Sequence, residues 1–494
     1  ASGSRERSFV VAARAKSSVV IPHGTAFPYI KLRPGGRPGA RRGRIYAAER
    51  KRGGVIDRER LRTTDRMAIA LDAVAAGIDA ARPERVLRDA VGVTDGVLTV
   101  GDATYDLAAY DDVVVLGAGN AAGRIASHLA TALGPALSGG VVVTDDPAPA
   151  GPVAVVEGTH PVPSAANRDG TRRVLEAARA ADADSLVVVV ATGGGSALLA
   201  APAEGIPLAD LRDLTDALVR SGAPIDRINA VRKHVSAVKG GRLARELAPA
   251  TTVGIVFSDV TSDDPSVVAS GPISPDPTTY DDARAVVSAS GIDAPESVRA
   301  HLDRGAAGDV PETPGPDDRS FDDVSVHVLA DNATAVAAAS EVCATRGFDP
   351  VVLSSSIRGE SQAAAVTHVA VAEEIRRRGS PAEPPAAIVS GGETTVAVGT
   401  GDGTGGPNQE FALRAAVELP DGVVCCAVDS DGLDGPTDAA GAVVDAETVP
   451  DRRDARDALA AHDVYAYLDE RDALVRTGAT GTNVNDLRVI LVPA

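Results

Sequence analysis

Short apolar runs rich in valine and isoleucine alternate with longer stretches of helical periodicity along most of the chain. The first helical stretch begins at Met67, where apolar residues recur at the spacing of one helix face. The apolar runs that follow are continuous rather than alternating, which is typical of strands buried on both faces of a parallel sheet. The predicted strands are 112–117, 140–144, 153–158, 185–192, 251–259, 324–330, 350–354, 386–390, 423–429, 441–445 and 487–492.

Residues 303–323 interrupt this alternation with a segment rich in glycine, proline and aspartate, which predicts a linker. The pattern therefore predicts an α/β fold of two domains. Each is expected to be a largely parallel sheet with helices on both faces, and a cleft is expected between them. We place the domains at residues 63–302 and 324–494, after a basic extension at 1–62 that we expect to be disordered.

Charge divides the chain sharply. Residues 1–62 contain 16 lysines and arginines and four acidic residues, whereas the remaining 432 residues contain 33 basic and 64 acidic ones. An acidic body of this kind argues against nucleic acid as a partner, since phosphate binding needs a basic surface. It is typical of a halophilic protein, because concentrated salt screens the repulsion between like charges.

The cysteines indicate a reducing compartment. Three cysteines cannot build a disulfide framework, and Cys425 and Cys426 lie within an apolar run, so we expect buried thiols and a cytoplasmic protein. The sequence contains no run of 18 apolar residues, and we therefore expect no membrane span. The oligomeric state is left open between a monomer and a homodimer.

The first glycine-rich loop, Gly117–Gly123, follows a predicted strand and precedes a predicted helix. Its backbone N–H groups and the helix N-terminus suit a phosphate or a carboxylate, so Gly117, Gly119 and Asn120 are candidate nucleotide-binding residues. The loop also resembles a dinucleotide-binding fingerprint in a looser spacing. The alternative is a tight strand–helix turn without a ligand.

A second loop contains Gly193, Gly194, Gly195 and Ser196, again between a strand and a helix. Three successive glycines let a ligand approach the backbone closely, and the serine adds a hydroxyl group. We therefore predict an anion site here, with a plain turn as the alternative.

Lysine is nearly excluded from the body of the chain. The only two lysines after Met67 are Lys233 and Lys239, which lie within a stretch of seven residues. A helix over 230–239 would place Arg232, Ser236 and Lys239 on one face. These cations are candidates for a clamp on transferring phosphates, where developing charge needs a fixed counter-charge. A solvated basic face is the alternative.

Acidic residues follow several predicted strands. Asp259 ends the strand 251–259, where a carboxylate is well placed to hold Mg²⁺ or to orient a hydroxyl group. Glu393 follows the strand 386–390, and Asp431 and Asp434 follow the strand 423–429. We take Asp259, Asp431 and Asp434 as candidate metal ligands, although an Asp/Gly turn is common in an acidic protein.

Eight motifs in a fixed order resemble the glycerate 2-kinase family of the MOFRL type, whose members were also labelled hydroxypyruvate reductases. The resemblance covers residues 67–494 and implies phosphorylation of D-glycerate at its 2-hydroxyl by ATP with Mg²⁺, in the cleft of a two-domain α/β fold. The matching stretches are GTHPVPSAAN (158–167), GGGSALLAAPAEGI (193–206), INAVRKHVSAVKGGRLA (228–244), SDVTSDDPSVVASGPISPDPTTY (258–280), SGGETTV (390–396), GGPNQEFAL (405–413), DGLDGPTDAAGAVVD (431–445) and TGTNVNDLRVILV (480–492).

The matching positions that look catalytic are Lys233, Lys239, Asp259 and Glu393. The chain departs from the family pattern at Asn120, where many relatives have lysine, and at Pro407, where relatives often have arginine. With two cations fewer, the resemblance assigns charge neutralisation at the phosphates to Arg232 and the two lysines.

Two other functions compete with the kinase. An NAD(P)-dependent hydroxypyruvate reductase would use the loop Gly117–Gly123, but it needs a proton donor, and His160 and His234 are the histidines within the matched motifs. A non-catalytic sensor of sugar phosphates or nucleotides is the third hypothesis, prompted by Asn120 and Pro407.

Overall fold

The computed structural model of the protein describes residues 55–61, 63–397 and 403–494. Most of the predicted basic extension, 1–62, lies outside these residues. Its last part does not extend freely from the fold, because Ile56 is buried and the N–H of Asp57 donates to the carbonyl of Arg476 at 2.8 Å.

Within these ranges the chain forms two six-stranded sheets, one small sheet and their covering helices. The helices are α1 (Asp65–Ala80), α2 (Pro83–Ala90), α3 (Ala122–Leu133), α4 (Ala165–Ala180), α5 (Gly195–Leu198), α6 (Leu208–Arg220), α7 (Ile225–His234), α8 (Arg242–Leu247), α9 (Tyr280–Ala289), α10 (Glu296–Ala306), α11 (Asn332–Thr345), α12 (Ser361–Arg378), α13 (Pro407–Ala416), α14 (Arg452–Ala460) and α15 (Val464–Asp469). The strands are β1 (Val91–Thr94), β2 (Val97–Val100), β3 (Ala103–Asp106), β4 (Asp112–Ala118), β5 (Gly139–Thr144), β6 (Val153–Glu157), β7 (Ser185–Ala191), β8 (Thr251–Phe257), β9 (Val324–Ala330), β10 (Asp349–Glu360), β11 (Ala386–Thr395), β12 (Val424–Asp429), β13 (Gly441–Asp445), β14 (Leu474–Val475) and β15 (Asp486–Val492).

The first sheet is entirely parallel, as predicted, with the strand order β6-β5-β4-β7-β8-β9. Helices α2 and α3 pack on one face, and α4 and α8 pack on the other. The chain runs outward from β4 to β6, then returns and runs the other way from β7. The strand order therefore reverses between β4 and β7, and open parallel sheets bind ligands at such a point. Both glycine-rich loops follow these two strands.

The second sheet is mixed, so the prediction of a largely parallel sheet is wrong for this domain. Its order is β10-β11-β15-β12-β13-β14, and β10 with β11 forms its parallel pair. The other four pairings are antiparallel. Helices α1 and α11 cover one face, and α12 to α15 cover the other. Because both faces are buried, the strands are continuously apolar whatever their direction, and the sequence pattern could not distinguish the two.

Each domain includes one element that the predicted boundary assigned to the other domain. Helix α1 packs against α11 and the second sheet through Met67, Leu71 and Val74. Strand β9 instead hydrogen-bonds to β8 at the edge of the first sheet. The chain thus crosses between the domains after α1 and again after β9, and the structure differs from the boundaries 63–302 and 324–494.

The predicted linker 303–323 is largely attached to the first domain. Helix α10 continues to Ala306, and Phe321 packs into the core beside α8. The carboxylate of Glu312 accepts the N–H of Tyr280 at 3.1 Å, and Thr313 is buried. In the part of the chain that the structure describes, no helix has the length and apolar character needed to cross a membrane.

Candidate active site

The glycines of the first loop serve close contacts within the protein. A Cβ atom at Gly117 would collide with the backbone of Val190 on β7, and one at Gly119 would collide with the side chain of Thr192. Both glycines also have positive φ angles, 134° and 142°, which side chains disfavour. These glycines therefore allow the ends of β4 and β7 to approach each other at the reversal point of the sheet.

The two glycine-rich loops are joined through Asn120. Its N–H donates to the carbonyl of Gly193 at 2.8 Å, and its carbonyl accepts the hydroxyl of Thr144 at 3.0 Å. Its side chain lies against Gly194, where any Cβ atom would overlap the amide oxygen. That buried oxygen has no hydrogen-bond partner among the described residues. An unpaired buried acceptor is costly, so a donor from a ligand would relieve it.

Asp259 stands directly after β8 and faces the second loop. A Cβ atom at Gly193 would lie 2.6 Å from its Oδ2 atom, so glycine is needed for the carboxylate to sit there. Burial raises the pKa of Asp259 to about 6, although its own N–H and that of Gly194 hydrogen-bond to the carboxylate and lower it. The side chain is half-buried and can reach a ligand. A carboxylate with this pKa is suited to accept a proton near neutral pH.

Arg232 and Lys239 come together, but not along one helix. Helix α7 ends at His234, and Ser236 pairs with Pro202 as an isolated bridge, so the predicted helix over 230–239 is wrong. The Ser236 hydroxyl instead accepts the N–H groups of Val238 and Lys239 at 3.2 and 3.3 Å and turns the chain.

These two cations have no carboxylate partner within residues 55–61, 63–397 and 403–494. Nζ of Lys239 donates to the carbonyl of Leu199, just beyond α5, at 2.7 Å. Burial, together with the charge of Arg232, lowers the pKa of Lys239 to about 7, and burial also lowers the pKa of Arg232. Neither side chain forms an ion pair with any described residue. Two neighbouring cations without a counter-charge have the chemistry needed to bind an anion.

Lys233 points elsewhere and is already neutralised. Its Nζ lies 3.3 Å from Oδ1 of Asp276, and both side chains are buried. The same carboxylate oxygen accepts the hydroxyl of Thr278 at 2.8 Å. The structure thus separates the two lysines, leaving Lys239 with Arg232 and engaging Lys233 in an internal ion pair.

A left-handed turn links the lysine segment to the second glycine-rich loop. Ala269, Ser270 and Gly271 have φ angles of 51°, 62° and 60°. A carbonyl of this turn holds the lysine segment in place, because the N–H of Gly240 donates to the carbonyl of Ser270 at 3.0 Å. The Ser270 hydroxyl lies 2.8 Å from that of Ser196. Consecutive non-glycine residues in this conformation are strained, and such strain is often found at functional sites.

Glu393 approaches Asp259 from the second domain. It is exposed to solvent near the end of β11, where Gly392 pairs with Asp486 of β15. Loss of hydration among the surrounding protein groups raises the pKa of Glu393 to about 7, and the charges of Asp486 and Asp259 raise it further. Since Asp259 belongs to the first domain, two carboxylates from different domains come within electrostatic range of each other. The domains also touch where Arg124 lies against Gly481.

The predicted metal ligands Asp259, Asp431 and Asp434 do not form a metal site by themselves. Among the residues with described positions, no group of three or more His, Cys, Asp or Glu side chains is arranged to hold a metal ion. Asp434 is buried and accepts the N–H groups of Asn408 and Gln409 at 3.0 and 2.8 Å, at the start of α13. Its carboxylate is therefore used as a helix cap. Asp431 shares a hydrogen bond with Asp429, and burial raises the pKa of both.

The sequence did not predict a buried network of hydrogen bonds where the ends of β11 and β15 meet in the second sheet. Arg488 is fully buried and pairs with Asp486, while its Nη2 donates to the Thr394 hydroxyl at 2.7 Å. Asp486 also accepts from Asn408 Nδ2 at 2.6 Å and from the N–H of Thr394 at 2.9 Å. The signal was a pair of charged residues, Asp486 and Arg488, in the otherwise apolar strand β15. This network positions the strand end that carries Glu393.

Two family models match the chain. A model described as "Domain of unknown function (DUF4147)" matches residues 69–303, and the model of the MOFRL family matches residues 386–486.

Similar proteins extend this match to most of the chain. A glycerate 2-kinase from Pyrococcus horikoshii is 37% identical over 86% of this chain and 97% of that protein. The chain belongs to the MOFRL-type glycerate 2-kinase family. Another member, from Agrobacterium vitis, bears the name putative hydroxypyruvate reductase and is 40% identical over 77% of this chain and 87% of its own length. A crystal structure of glycerate kinase from Thermotoga maritima superposes with a TM-score of 0.76 at 36% identity, covering 86% of this chain and 99% of that one.

The two departures from the family pattern lie at well-packed positions. Asn120 fills the space against Gly194, and Pro407 is the first residue of α13, where its missing N–H has no cost. The carbonyl of Pro407 accepts the hydroxyl of Ser361. In this member of the family, Arg232 and Lys239 are therefore the cations of the candidate site that lack a carboxylate partner among the described residues.

Proposed function

We propose that this protein is a glycerate 2-kinase, which transfers the γ-phosphoryl group of ATP to the 2-hydroxyl of D-glycerate. The observation that carries the proposal is the pair Arg232–Lys239, which lacks a carboxylate partner in the described parts of the chain and lies beside a glycine-rich loop that also contacts Asp259. Phosphoryl transfer is mainly a matter of positioning and of charge stabilisation, and this site offers both.

Each group has a defined task in this reaction. Arg232 and Lys239 neutralise the charge that develops on the transferring phosphoryl oxygens. The bound phosphates raise the pKa of Lys239 above its value of about 7 in the free protein, so the lysine becomes charged where it is needed. Asp259 orients the glycerate hydroxyl and accepts its proton as the new bond to phosphorus forms. Lys233 supports the segment from inside through Asp276.

The donor set fits Mg²⁺ only together with a nucleotide. The described residues contain no group of three acidic or imidazole ligands, yet Mg²⁺ commonly takes one or two carboxylates and completes its shell with phosphates and water. Glu393 is the carboxylate that would hold it, and the bound cation would keep Glu393 ionised, which leaves Asp259 to accept the proton. When bound, Mg²⁺ would withdraw charge from the phosphates. Asp434 does not fit this role because backbone N–H groups occupy its oxygens.

The reductase alternative has weaker support. The glycines of the loop Gly117–Gly123 are explained by contacts with Val190, Thr192 and, at Gly123, the carbonyl of Asp146. A dinucleotide-binding loop instead uses its glycines to bring the backbone close to a pyrophosphate. The name hydroxypyruvate reductase among relatives is therefore not matched by a recognisable cofactor cradle here.

A product assay tests the proposal directly. The protein, shown to be folded by circular dichroism in concentrated KCl, is incubated with ATP, Mg²⁺ and D-glycerate, and ADP release is measured. Phosphorus NMR then distinguishes 2-phosphoglycerate, the expected product, from 3-phosphoglycerate. A folded protein that releases no ADP under these conditions would refute the kinase, and micromolar binding of NADH without binding of ATP would favour the reductase.

The pH dependence of kcat/KM is expected to be bell-shaped, with a maximum between about pH 6 and pH 7. Asp259 must be ionised, so activity rises as pH increases through its pKa of about 6; Lys239 must be protonated, so activity falls above its pKa of about 7. Lys239→Arg should remove the alkaline limb, leaving kcat/KM level to about pH 9, because arginine stays charged. Lys233→Arg is the matched control and should keep that limb. If kcat/KM of the Lys239→Arg variant still fell at alkaline pH, a group other than Lys239 would be responsible for the alkaline limb.

A further inference from the structure

The first domain contains a cavity outside the cleft, which we call the arginine cavity. It has a volume of about 290 Å³ and is lined by Arg242, Arg245, Tyr280, His301 and Arg304, among other residues. All of its lining residues lie between positions 203 and 311, so none comes from the second domain. Its size is at the lower end of the range for small-molecule sites.

Two of the three guanidinium groups lack a counter-charge in the part of the chain that the structure describes. Arg245 is paired with Asp318 at 2.9 Å, but Arg242 and Arg304 form no ion pair with any residue in the described ranges. Arg242 instead donates to neutral oxygens, the Tyr280 hydroxyl at 3.0 Å and the Pro311 carbonyl at 3.4 Å.

Three acidic residues also line the arginine cavity. Glu246 is neutralised by Arg179, at 2.6 Å. Glu204 and Asp309 are exposed and are therefore well hydrated. The half-buried guanidinium of Arg242 is less well hydrated than these carboxylates, and an anion is the ligand that would satisfy it.

Buried polar atoms without partners specify the ligand further. Nε of Arg242 and Nδ1 of His301 are both buried and have no hydrogen-bond partner among the described residues. The His301 side chain is 6% exposed, and its Nε2 donates to the carbonyl of His234 at 3.0 Å. Burial lowers the pKa of His301, so the ring is neutral and Nδ1 is an acceptor. Because both residues line the cavity, we expect its ligand to bring an anionic oxygen for Arg242 and a hydroxyl group for His301.

We propose that the arginine cavity binds a small hydroxy acid anion or its phosphate ester, at a site separate from the cleft between the domains. The carboxylate or phosphate oxygens of such a ligand would accept from Arg242 and Arg304. Its hydroxyl group would donate to Nδ1 of His301. Arg304 is exposed, so the ligand can enter from solvent.

The site is placed to affect the candidate active site. Ser236 and Ala237 line the cavity, and the Ser236 hydroxyl accepts the N–H of Lys239 at 3.3 Å. His301 holds the last residue of α7, the helix that carries Arg232. An anion in the cavity is therefore expected to change the KM for ATP about fivefold or more, a size usual for coupled sites. This coupling rests on the proposed kinase function, whereas binding of the anion does not.

Calorimetric titration of the full-length protein with 3-phosphoglycerate tests the binding site. We choose an Arg232→Gln background to weaken binding in the cleft, and a constant concentration of KCl. Adding Arg242→Gln is expected to weaken binding about 10- to 100-fold, because one charge-assisted hydrogen bond is lost. Adding Arg304→Gln should weaken it severalfold. The matched control is Arg299→Gln, on the same helix but paired with Glu296 and Asp293, which should leave binding unchanged.

Several outcomes would overturn the proposal. They are the absence of binding in the Arg232→Gln background, or an affinity that neither Arg242→Gln nor Arg304→Gln reduces. Equal affinity for inorganic phosphate would reject the role of the hydroxy acid. If Arg242→Gln fails to fold, the exposed Arg304→Gln decides the result. If the protein lacks kinase activity, the titration still tests the site, so the two failures can be distinguished.

Discussion

Replacing Asp259 by asparagine is expected to lower kcat about 1,000-fold while making the folded protein more stable at neutral pH. The amide cannot accept the proton of the glycerate hydroxyl, and loss of a general base typically costs 10²- to 10⁴-fold. Stability should increase because burial disfavours the ionised carboxylate, whose pKa is raised from 3.8 to about 6. Measuring kcat and thermal unfolding on the same preparation tests both effects.

The pH dependence of this gain in stability follows from the sign of the shift. An acid whose pKa is higher in the folded state destabilises that state once it ionises, so the gain from Asp259→Asn should be complete above about pH 6. It should disappear below about pH 4, where the carboxyl is protonated in both states. The shift corresponds to about 3 kcal/mol at pH 7, and we expect a gain of roughly 1–2 kcal/mol in the free energy of unfolding because the amide accepts the loop N–H groups less strongly than the carboxylate does.

The matched control for this substitution is Asp264→Asn. Asp264 is an exposed turn residue whose Oδ1 accepts the N–H of Ser266 at 2.8 Å, a bond that asparagine can also make. Its replacement should change neither kcat nor stability appreciably. If Asp259→Asn retained kcat within about tenfold, Asp259 would not be the proposed base. If the substitution lowered the stability at pH 7, the raised pKa of Asp259 would be contradicted.

Arg488→Met is expected to lower the free energy of unfolding by about 3–5 kcal/mol, the usual cost of removing one member of a buried ion pair. Arg488 is fully buried and is the partner of Asp486, whose oxygens also accept from Thr394 and Asn408. Without the guanidinium, a buried carboxylate would lack its counter-charge. The free energies of unfolding of both proteins, measured in urea at pH 7, provide the test.

A double substitution separates charge from side-chain volume. Asp486→Asn in the Arg488→Met background removes the uncompensated carboxylate, and it should recover most of the lost stability because methionine can pack on the Phe411 ring that Arg488 now covers at 4.9 Å. A loss below about 1 kcal/mol for Arg488→Met alone would contradict the role of this pair. No recovery in the double variant would show that shape, not charge, determines the cost.

The local pattern of apolar and polar residues predicted the strands and the positions of the loops that follow them. The predicted strands 324–330 and 441–445 agree with β9 and β13, and the remaining predicted strands lie within a few residues of observed ones except at the long strands β10 and β11. The small sheet β1–β3 was missed because its strands are four residues each and only partly buried. Burial of a whole strand leaves a clear sequence signal, whereas a short strand on the surface leaves little.

The partners of the candidate site residues were harder to predict. Lys233 and Lys239 look equivalent in sequence, but one is paired with Asp276 and the other lies beside Arg232. Likewise Asp434 and Asp259 both follow strands, yet the first caps α13 while the second faces the cleft. Each difference depends on a residue brought from a distant part of the chain.

The sequence by itself determined the alternation of strands and helices and the glycine-rich loops at strand ends, because these depend on burial and backbone conformation within short segments. Tertiary structure decided the direction of the strands in the second sheet, the exchange of α1 and β9 between domains and the approach of Glu393 to Asp259. These features arise from long-range pairing, and a strand buried on both faces has the same apolar sequence whichever neighbour it joins.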